Sequence, residues 1–151
     1  MPRWTFEDLT VGLRLECAPH AMTREEMIAF AKEYDAQPFH IDEDAAKASF
    51  FGGLVASGWH TASLVMRAIA ERFLLDSSGL GAPGVDELKW LRPVRAGDVI
   101  TPVIDIIDRK ESRSRPEMGL VRMRITTSNQ RGEPVMTQEN WVMFGRRAQA
   151  M

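Results

Sequence analysis

The sequence has few of the residues that build covalently or metal-stabilised folds. It contains one cysteine, Cys17, among 151 residues. A single thiol excludes an intrachain disulfide and any multi-cysteine metal site, and it suits a reducing compartment, which predicts a cytoplasmic location. No uninterrupted apolar stretch is long enough for a signal peptide or a membrane span, so we expect no membrane partner.

An excess of charge of one sign and low-complexity segments are also lacking. The 19 basic and 21 acidic residues give a formal net charge of -2. No overall field therefore favours nucleic acid or an anionic membrane. No internal repeat or Gly/Ser linker divides the chain, whose length suits one ordinary domain. Residues 1–151 are predicted to form a single domain.

Helical patterns occupy the first half of the chain. A capping box at Thr23–Glu26 predicts a helix over about 24–34, because apolar side chains then recur at helical spacing: Met27, Phe30, Ala31 and Tyr34. Pro38 cannot continue this helix, so we expect a loop after it. Asp42 is suited to cap a short helix to about Ser49, and a bend with two glycines follows.

The pattern changes at Ser57–Gly58, where a long segment to Leu74 becomes apolar on nearly every side. Such a segment predicts a helix that is buried all round. Strand-like alternation then covers about 85–94, 99–108, 120–128 and 134–144, and an early strand over 13–18 completes the set. These elements predict an α+β fold of the hotdog type, in which a curved antiparallel sheet with one polar face wraps around a long buried helix.

Two residue types suited to proton transfer flank Pro38. Asp35 and His40 are five residues apart, which would separate them by about 140° on one continuous helix. Because the chain must turn at Pro38, His40 is free to fold back beside the helix end that carries Asp35. A carboxylate and an imidazole that share one water form an acid/base pair. The alternative is that Asp35 only ends the helix and His40 only satisfies loop carbonyls.

Gly58 opens the long apolar helix in the sequence Ser57-Gly58-Trp59-His60. The first turn of a helix leaves backbone N–H groups without partners at the positive end of the dipole. These donors are suited to hold a developing enolate oxygen. The alternative is that Gly58 serves close packing and that Ser57 is a simple cap.

These residues carry a resemblance to a known family. The pattern Asp-x-x-Pro-x-His-x-Asp over 35–42, the bend with two glycines, the glycine that opens a long apolar helix, and Arg92-Pro93-Val94 at a strand end resemble the MaoC-like dehydratases, which include the R-specific enoyl-CoA hydratases. The resemblance covers most of the chain. It implies a hotdog fold with an overhanging helical segment, and a homodimer or higher homo-oligomer.

The resemblance also implies roles for single residues. Asp35 and His40 fall on the family's catalytic pair, which activates the water that adds across the 2,3-double bond of an enoyl thioester, and Gly58 matches the amide that polarises the thioester carbonyl. Ser63 falls near a serine that hydrogen-bonds the catalytic aspartate, although a helical serine can equally bond its own i−4 carbonyl. The implied reaction uses no metal and no redox cofactor, and coenzyme A enters as part of the substrate.

Two positions depart from the family pattern. Many R-specific hydratases carry asparagine and histidine where this chain has Gln37 and Ser57. Gln37 keeps an amide on a longer side chain, whereas Ser57 removes an imidazole from the entrance to the site. The substrate therefore does not transfer from those hydratases.

Further side chains are candidates for the substrate pocket. Phe51 and Trp59, with Phe50 and Trp90, are suited to line an acyl pocket, although aromatic residues in a small core usually only pack. His60 is a candidate for the pocket or for a second proton carrier, and the alternative is a partly exposed polar contact. Metal ligation by His40, Asp42, Asp44 and His60 has no recognised spacing, so we predict no metal site.

The segment 109–116 is a basic loop between strands that suits the phosphates of coenzyme A or remains an ordinary solvated turn. Arg113 and Arg115 are its candidates, and Lys89, Arg92 and Arg95 compete with them for the same role.

The residues and the resemblance together predict a lyase of fatty acid metabolism, a hydratase or dehydratase of an enoyl or 3-hydroxyacyl thioester. The carrier of the acyl group is coenzyme A or acyl carrier protein. A hotdog thioesterase, which would direct the water at the carbonyl carbon, stays open as an alternative. So does a non-catalytic acyl-CoA-binding subunit, because Gln37 and Ser57 depart from the hydratase pattern.

Overall fold

The computed structural model describes residues 1–147 and contains one antiparallel sheet. Its strands follow the order β1-β4-β5-β6-β3, with β2 paired to β4, and the sheet does not close into a barrel. The strand bounds are Arg14–Glu16, His20–Ala21, Glu87–Trp90, Val99–Glu111, Met118–Ser128 and Pro134–Gly145 for β1 to β6. The three long strands thus lie together, and short strands form both edges.

One face of this sheet is apolar and the other carries charges, as the alternation predicts. On β5, Met123 and Ile125 are buried in the core, whereas Arg122 and Arg124 point outward and both form ion pairs with Glu139 on β6. The N–O distances are 2.9 and 2.7 Å. Cross-strand pairs of opposite charge stabilise this register on the wet face.

The long helix α4, Gly58–Arg72, packs against the apolar face of the sheet. Leu64, Val65 and Ile69 are buried in the same core as the inward side chains of the sheet. The prediction that this helix is buried all round is wrong, because Trp59 is 59% and Met66 47% exposed. The helix has the apolar composition of a core helix, but a single open sheet covers only one of its sides.

Helices α1 (Arg24–Tyr34), α2 (Pro38–Ile41) and α3 (Glu43–Lys47) form the helical segment between β2 and α4. The Thr23 capping box begins α1 as predicted, and Asp42 caps α3. A loop after Pro38 is a wrong prediction: Pro38 is the first residue of α2. Because Pro38 lacks an N–H, α1 cannot continue through it, whereas its fixed φ angle suits the first position of the next helix.

The strand predictions hold with changed bounds. The strand expected over 85–94 is only Glu87–Trp90, and the early strand is only Arg14–Glu16. The basic loop is shorter than predicted, since β4 continues to Glu111. In residues 1–147, no helix combines the length and the apolar character that crossing a bilayer would require.

Candidate active site

The turn between α1 and α2 brings Asp35 and His40 into contact. Asp35 is the residue that ends α1, and His40 lies in the single turn of α2 that Pro38 begins. The His40 Nε2 atom lies 3.3 Å from Asp35 Oδ2, and both side chains are largely shielded from water. The fold-back expected at Pro38 therefore takes place.

The second nitrogen of His40 has a fixed role. His40 Nδ1 lies 2.7 Å from the carbonyl oxygen of Val55. A carbonyl only accepts hydrogen bonds, so Nδ1 must be the donor. Nε2, which faces Asp35, is then the atom that gains or loses the exchangeable proton.

The Asp35 carboxylate accepts a hydrogen bond at each oxygen. The buried Ser57 hydroxyl donates to Oδ2 at 2.7 Å, and the Gln37 amide donates to Oδ1 at 2.7 Å. Burial alone would raise the pKa of Asp35, but the bonds from Ser57 and Gln37 and the positive charge of protonated His40 outweigh it and lower the pKa. Asp35 is therefore held as an anion.

Gly58 begins α4 beside this carboxylate. The Ser57 hydroxyl bonds Asp35 and does not cap the helix, and within residues 1–147 the amide N–H groups of Gly58 and Trp59 have no acceptor. The Trp90 indole N–H donates to the Gly58 carbonyl at 2.9 Å. A Cβ atom at position 58 would lie 2.5 Å from the Trp90 ring, so any larger residue there would require the indole to move.

Asp35, His40 and Gly58 all line one groove with a volume of about 490 Å³. Much of its remaining wall is aromatic and comes from the segments around α2 and α4 and from the end of β3: Phe39, Phe50, Phe51, Trp59 and Trp90. Arg92 also lines the groove, and its guanidinium lies 3.3 Å from the Glu133 carboxylate. The groove thus places one anion, one imidazole and free amides beside an apolar surface.

Other predicted site residues lie elsewhere. The Ser63 hydroxyl donates to the Trp59 carbonyl at 2.7 Å, which is the i−4 alternative, and does not reach Asp35. His60 is outside the groove lining and stacks on Phe30 of α1 at a centroid distance of 4.8 Å. It is 5% exposed, so it is neither a groove residue nor a partly exposed contact.

The basic turn between β4 and β5 is also outside the groove. Arg113 is exposed, and Arg115 lies 3.7 Å from Glu117. Neither arginine lines the groove, whereas Arg92 does. Of these three arginines, only Arg92 lies where a ligand of the groove would meet it.

Sequence reasoning missed two contacts of the site. It did not identify Ser57 as the hydroxyl partner of Asp35, and it gave no role to the Val55 carbonyl. A serine directly before the glycine that begins the helix was the available signal for Ser57. A backbone carbonyl leaves no signal in the sequence.

Histidine and carboxylate side chains within residues 1–147 do not gather into a metal site. No group of at least three potential ligands (His, Cys, Asp or Glu) is found in the part of the chain that the structure describes. Asp42 accepts hydrogen bonds from the amides of Asp44 and Ala45 and so acts as the cap of α3.

The open sheet, the long helix and the groove define a hotdog protein with an aspartate–histidine pair beside a helix N-terminus. The family described as "MaoC like domain" matches residues 10–129, so the chain belongs to the MaoC-like family.

Similar proteins agree with this assignment. A crystal structure of the MaoC-like dehydratase from Rhodospirillum rubrum is 40% identical, with a TM-score of 0.87, over 96% of this chain and 99% of that one. A 3-hydroxybutyryl-CoA dehydratase from Methylorubrum extorquens is 30% identical over 75% of this chain and 70% of the relative. An (R)-specific enoyl-CoA hydratase from Rhodospirillum rubrum is 28% identical over 91% of this chain and 90% of the relative.

Proposed function

We propose that this protein is a lyase that adds water to an enoyl thioester, or removes it from a 3-hydroxyacyl thioester. The observation that carries the proposal is the convergence of Asp35, His40 and the free amide of Gly58 on one groove. Hydration of a conjugated thioester needs a held water, a base and a donor for the enolate oxygen. The names of the two relatives, a dehydratase and a hydratase of CoA thioesters, support the same class.

We infer a role for each group from the hydrogen bonds of the site. Because Nδ1 of His40 donates to Val55, Nε2 accepts the proton of the water, while the anionic Asp35 orients that water and stabilises the imidazolium. The water oxygen bonds to C3, and the π electrons move to an enolate whose oxygen accepts from the Gly58 amide. The imidazolium then returns the proton to C2, which completes the addition of one water.

The acyl carrier of the proposal is coenzyme A or acyl carrier protein. The aromatic wall formed by Phe51, Trp59 and Trp90 suits an apolar acyl group. Arg92 at the groove is the phosphate contact that we favour, and it would have to exchange its bond to Glu133 for the ligand.

Asp35→Asn and His40→Ala test the proposed chemistry. We expect each to lower the hydration rate of crotonyl-CoA by about a hundredfold or more, since an acid/base group contributes on that order. The loss of enoyl absorbance measures the rate. Asp44→Asn, an exposed carboxylate outside the groove, is the matched control and should keep full activity. Unchanged turnover in both variants of the Asp35–His40 pair, here called the dyad, with folding intact, would exclude the proposed mechanism.

The same assay separates the alternative functions. A hotdog thioesterase would release free thiol from saturated and enoyl thioesters alike, so a thiol reagent is included in the reaction. An acyl-CoA-binding subunit would bind a panel of short, long, branched and aromatic enoyl-CoAs without turnover. The lyase proposal predicts loss of enoyl absorbance without thiol release.

We extend the proposal to a homodimer or higher homo-oligomer. Large apolar side chains near the groove are exposed in the single chain: Phe50 at 98%, Trp59 at 59%, Leu91 at 49% and Trp90 at 44%. Exposed apolar clusters of this kind mark interaction surfaces. Light scattering after size exclusion tests the extension, and a monomer at micromolar concentration would exclude it.

A further inference from the structure

A second cavity lies between α4 and the sheet, and its lining shares no residue with the groove of the dyad. Its volume is about 280 Å³. The helix side contributes Met66 and Ile69, the segment after α4 contributes Leu74, and β5 and β6 contribute Met123 and Val142. Most of this wall is apolar, and none of its described residues carries a charge.

Two amide side chains interrupt this apolar wall. Gln138 and Asn140 alternate with Val142 on the inward face of β6, opposite Ile125 and Met123 of β5. Asn140 is 5% exposed. Core-facing positions of a strand normally hold apolar side chains, because burying an amide costs free energy unless its hydrogen bonds are made.

The amide pair uses only part of its hydrogen-bonding capacity. The Gln138 Nε2 atom donates to Asn140 Oδ1 at 2.9 Å, and Asn140 Nδ2 reaches the Trp141 carbonyl at 3.5 Å, the outer limit of a hydrogen bond. Asn140 Nδ2 carries a second hydrogen, and Gln138 Oε1 accepts no bond from residues 1–147. At least one donor, on Asn140, and one acceptor, on Gln138, therefore remain beside the cavity.

The geometry points to a binding site for an uncharged molecule, or part of one, whose apolar body fills the cavity and whose carbonyl or hydroxyl oxygen bonds the Gln138–Asn140 pair. An apolar wall excludes a charged ligand group, since no opposite charge lines the cavity to offset its desolvation. A neutral oxygen satisfies the free Asn140 donor, and a hydroxyl also donates to Gln138. The site for a separate small molecule does not depend on the proposed function, whereas the acyl form described next rests on it.

Two kinds of ligand have an apolar body with a neutral oxygen. One is a separate small molecule, and the other is the far end of an acyl group whose thioester lies in the groove. Both cavities flank α4, and Met66 follows Gly58 by eight residues, or about 12 Å along the helix axis. That length matches a medium-chain acyl group. Acyl groups with an in-chain oxygen would then be selected over plain hydrocarbon chains.

The experiment compares 2-heptanone with 2-methyl-1-heptene, in which a methylene group replaces the carbonyl oxygen. Binding is measured by NMR titration of the side-chain amide signals of Asn140 and Gln138. We expect the ketone to bind about threefold to tenfold more tightly than the alkene, because one net hydrogen bond contributes a free energy of this order. The ketone should also shift both amide signals. Equal affinities, or ketone binding that leaves both signals in place, would overturn the assignment.

Variants identify the groups that select the oxygen. Asn140→Leu keeps the branched shape of the side chain, although leucine is larger, and it should abolish or reverse the preference for the ketone. Gln138→Met should have the same effect to a smaller degree. Thr137→Val lies on the opposite face of the same strand and is the matched control. Should Asn140→Leu fail to fold, the Gln138→Met titration still decides the assignment, and an unchanged preference in it counts against the site.

Competition distinguishes the two kinds of ligand without any turnover. Saturated thioesters cannot be hydrated, so butanoyl-CoA and decanoyl-CoA are added to the ketone complex. Displacement by decanoyl-CoA alone assigns the cavity to the end of a long acyl group. Displacement by neither assigns it to a separate neutral ligand. Because these titrations need no catalysis, their result stands apart from the outcome for the lyase.

Discussion

At the scale of single residues, the Ser57 hydroxyl is the contact that joins the dyad to the long helix. It donates to the same oxygen of Asp35 that faces His40, while the amide after it begins α4. One residue therefore fixes both the carboxylate and the start of the helix. The orientation of the anion relative to the Gly58 amide depends on this contact.

Ser57→Ala should raise the pKa of Asp35 and slow hydration. The hydroxyl bond is one of the causes that hold this pKa below the ordinary value of 3.8, so its loss moves the pKa upward. A hydrogen bond to a charged group contributes enough to predict a roughly tenfold fall in kcat/KM. Carboxyl-carbon NMR, assigned with Asp35→Asn, measures the titration.

Ser63→Ala is the control for this change, because its hydroxyl bonds only a helix carbonyl and is exposed. It should leave both the pKa of Asp35 and the rate unchanged. Equal effects of the two serine variants would show that the Ser57 bond has no special role.

Gly58→Ala should destabilise the fold through a clash with Trp90. The new Cβ atom would lie 2.5 Å from the indole ring, and overpacking of this kind costs about 1–3 kcal/mol. In a Trp90→Leu background the ring is absent, so the same change should be neutral or stabilising. Urea unfolding of the double-mutant cycle measures the coupling.

Gly84→Ala supplies the control for glycine replacement, since nothing lies within 4 Å of a Cβ atom built there. A Gly58→Ala penalty that persists in the Trp90→Leu background would contradict the proposed clash.

Residue types and spacing predicted part of the site but not all of it. Asp35 and His40 were predictable as neighbours because Pro38 interrupts the helix between them. The contact between Ser57 and Asp35 spans 22 positions and depends on where α4 begins relative to the end of α1. Sequence spacing says nothing about that placement, so the serine nearest to the family pattern, Ser63, was the wrong partner.

At the scale of elements, α1 is the support of the dyad because its last turn leads into Asp35. Its first turn is held by reciprocal bonds: the Thr23 hydroxyl accepts from the Glu26 amide, and the Glu26 carboxylate accepts from the Thr23 amide. The helix is thus fixed at both ends, by a cap and by the dyad.

Thr23→Ala should lower the free energy of unfolding by about 1 kcal/mol, the usual contribution of an N-cap side chain. Thr23→Ser keeps the hydroxyl and should stay near the wild-type value. Urea denaturation with an unchanged m value measures both. Similar losses in the two variants would mean that methyl packing, and not the cap, is the important contact.

Helices and long strands were predictable because local signals mark them. The capping box and the apolar period gave α1, and alternation gave β4, β5 and β6. The exposure of α4 was not predictable in this way, since its apolar composition is the same whether a sheet or another chain covers Trp59 and Met66. The composition of a helix indicates which kind of surface it would pack against. The extent of the open sheet determines which of its side chains are covered.

At the scale of the whole molecule, His60 couples stability to pH. It is buried between α4 and Phe30 of α1, with Glu26 of α1, His20 of β2 and Arg67 of α4 as the charged or titratable groups around it. Burial lowers its pKa below 6.5, Glu26 opposes the shift, and His20 and Arg67 add to it. His60 is therefore buried in its neutral form.

The sign of the effect follows from this lowered pKa. As the pH falls below about 6.5, the unfolded chain takes up a proton at His60 before the folded chain does, so the free energy of unfolding decreases. The decrease is complete once the pH passes the lowered pKa. We expect wild type to lose more stability than His60→Leu between about pH 7 and pH 5, as measured by urea unfolding at each pH. Parallel curves for the two proteins would contradict this coupling.

The short stretch from Asp35 to His40 has a consequence for how such sequences diverge. Both dyad side chains are placed by one helix end, one turn and one proline, so their separation is set by the number of residues between them. A single insertion or deletion in this stretch would rotate His40 away from Asp35, whereas the turn between β4 and β5 can change length without moving either. Among descendants of this chain, a gap inside this stretch should therefore mark those that lack the proposed activity, even where both residues are still present.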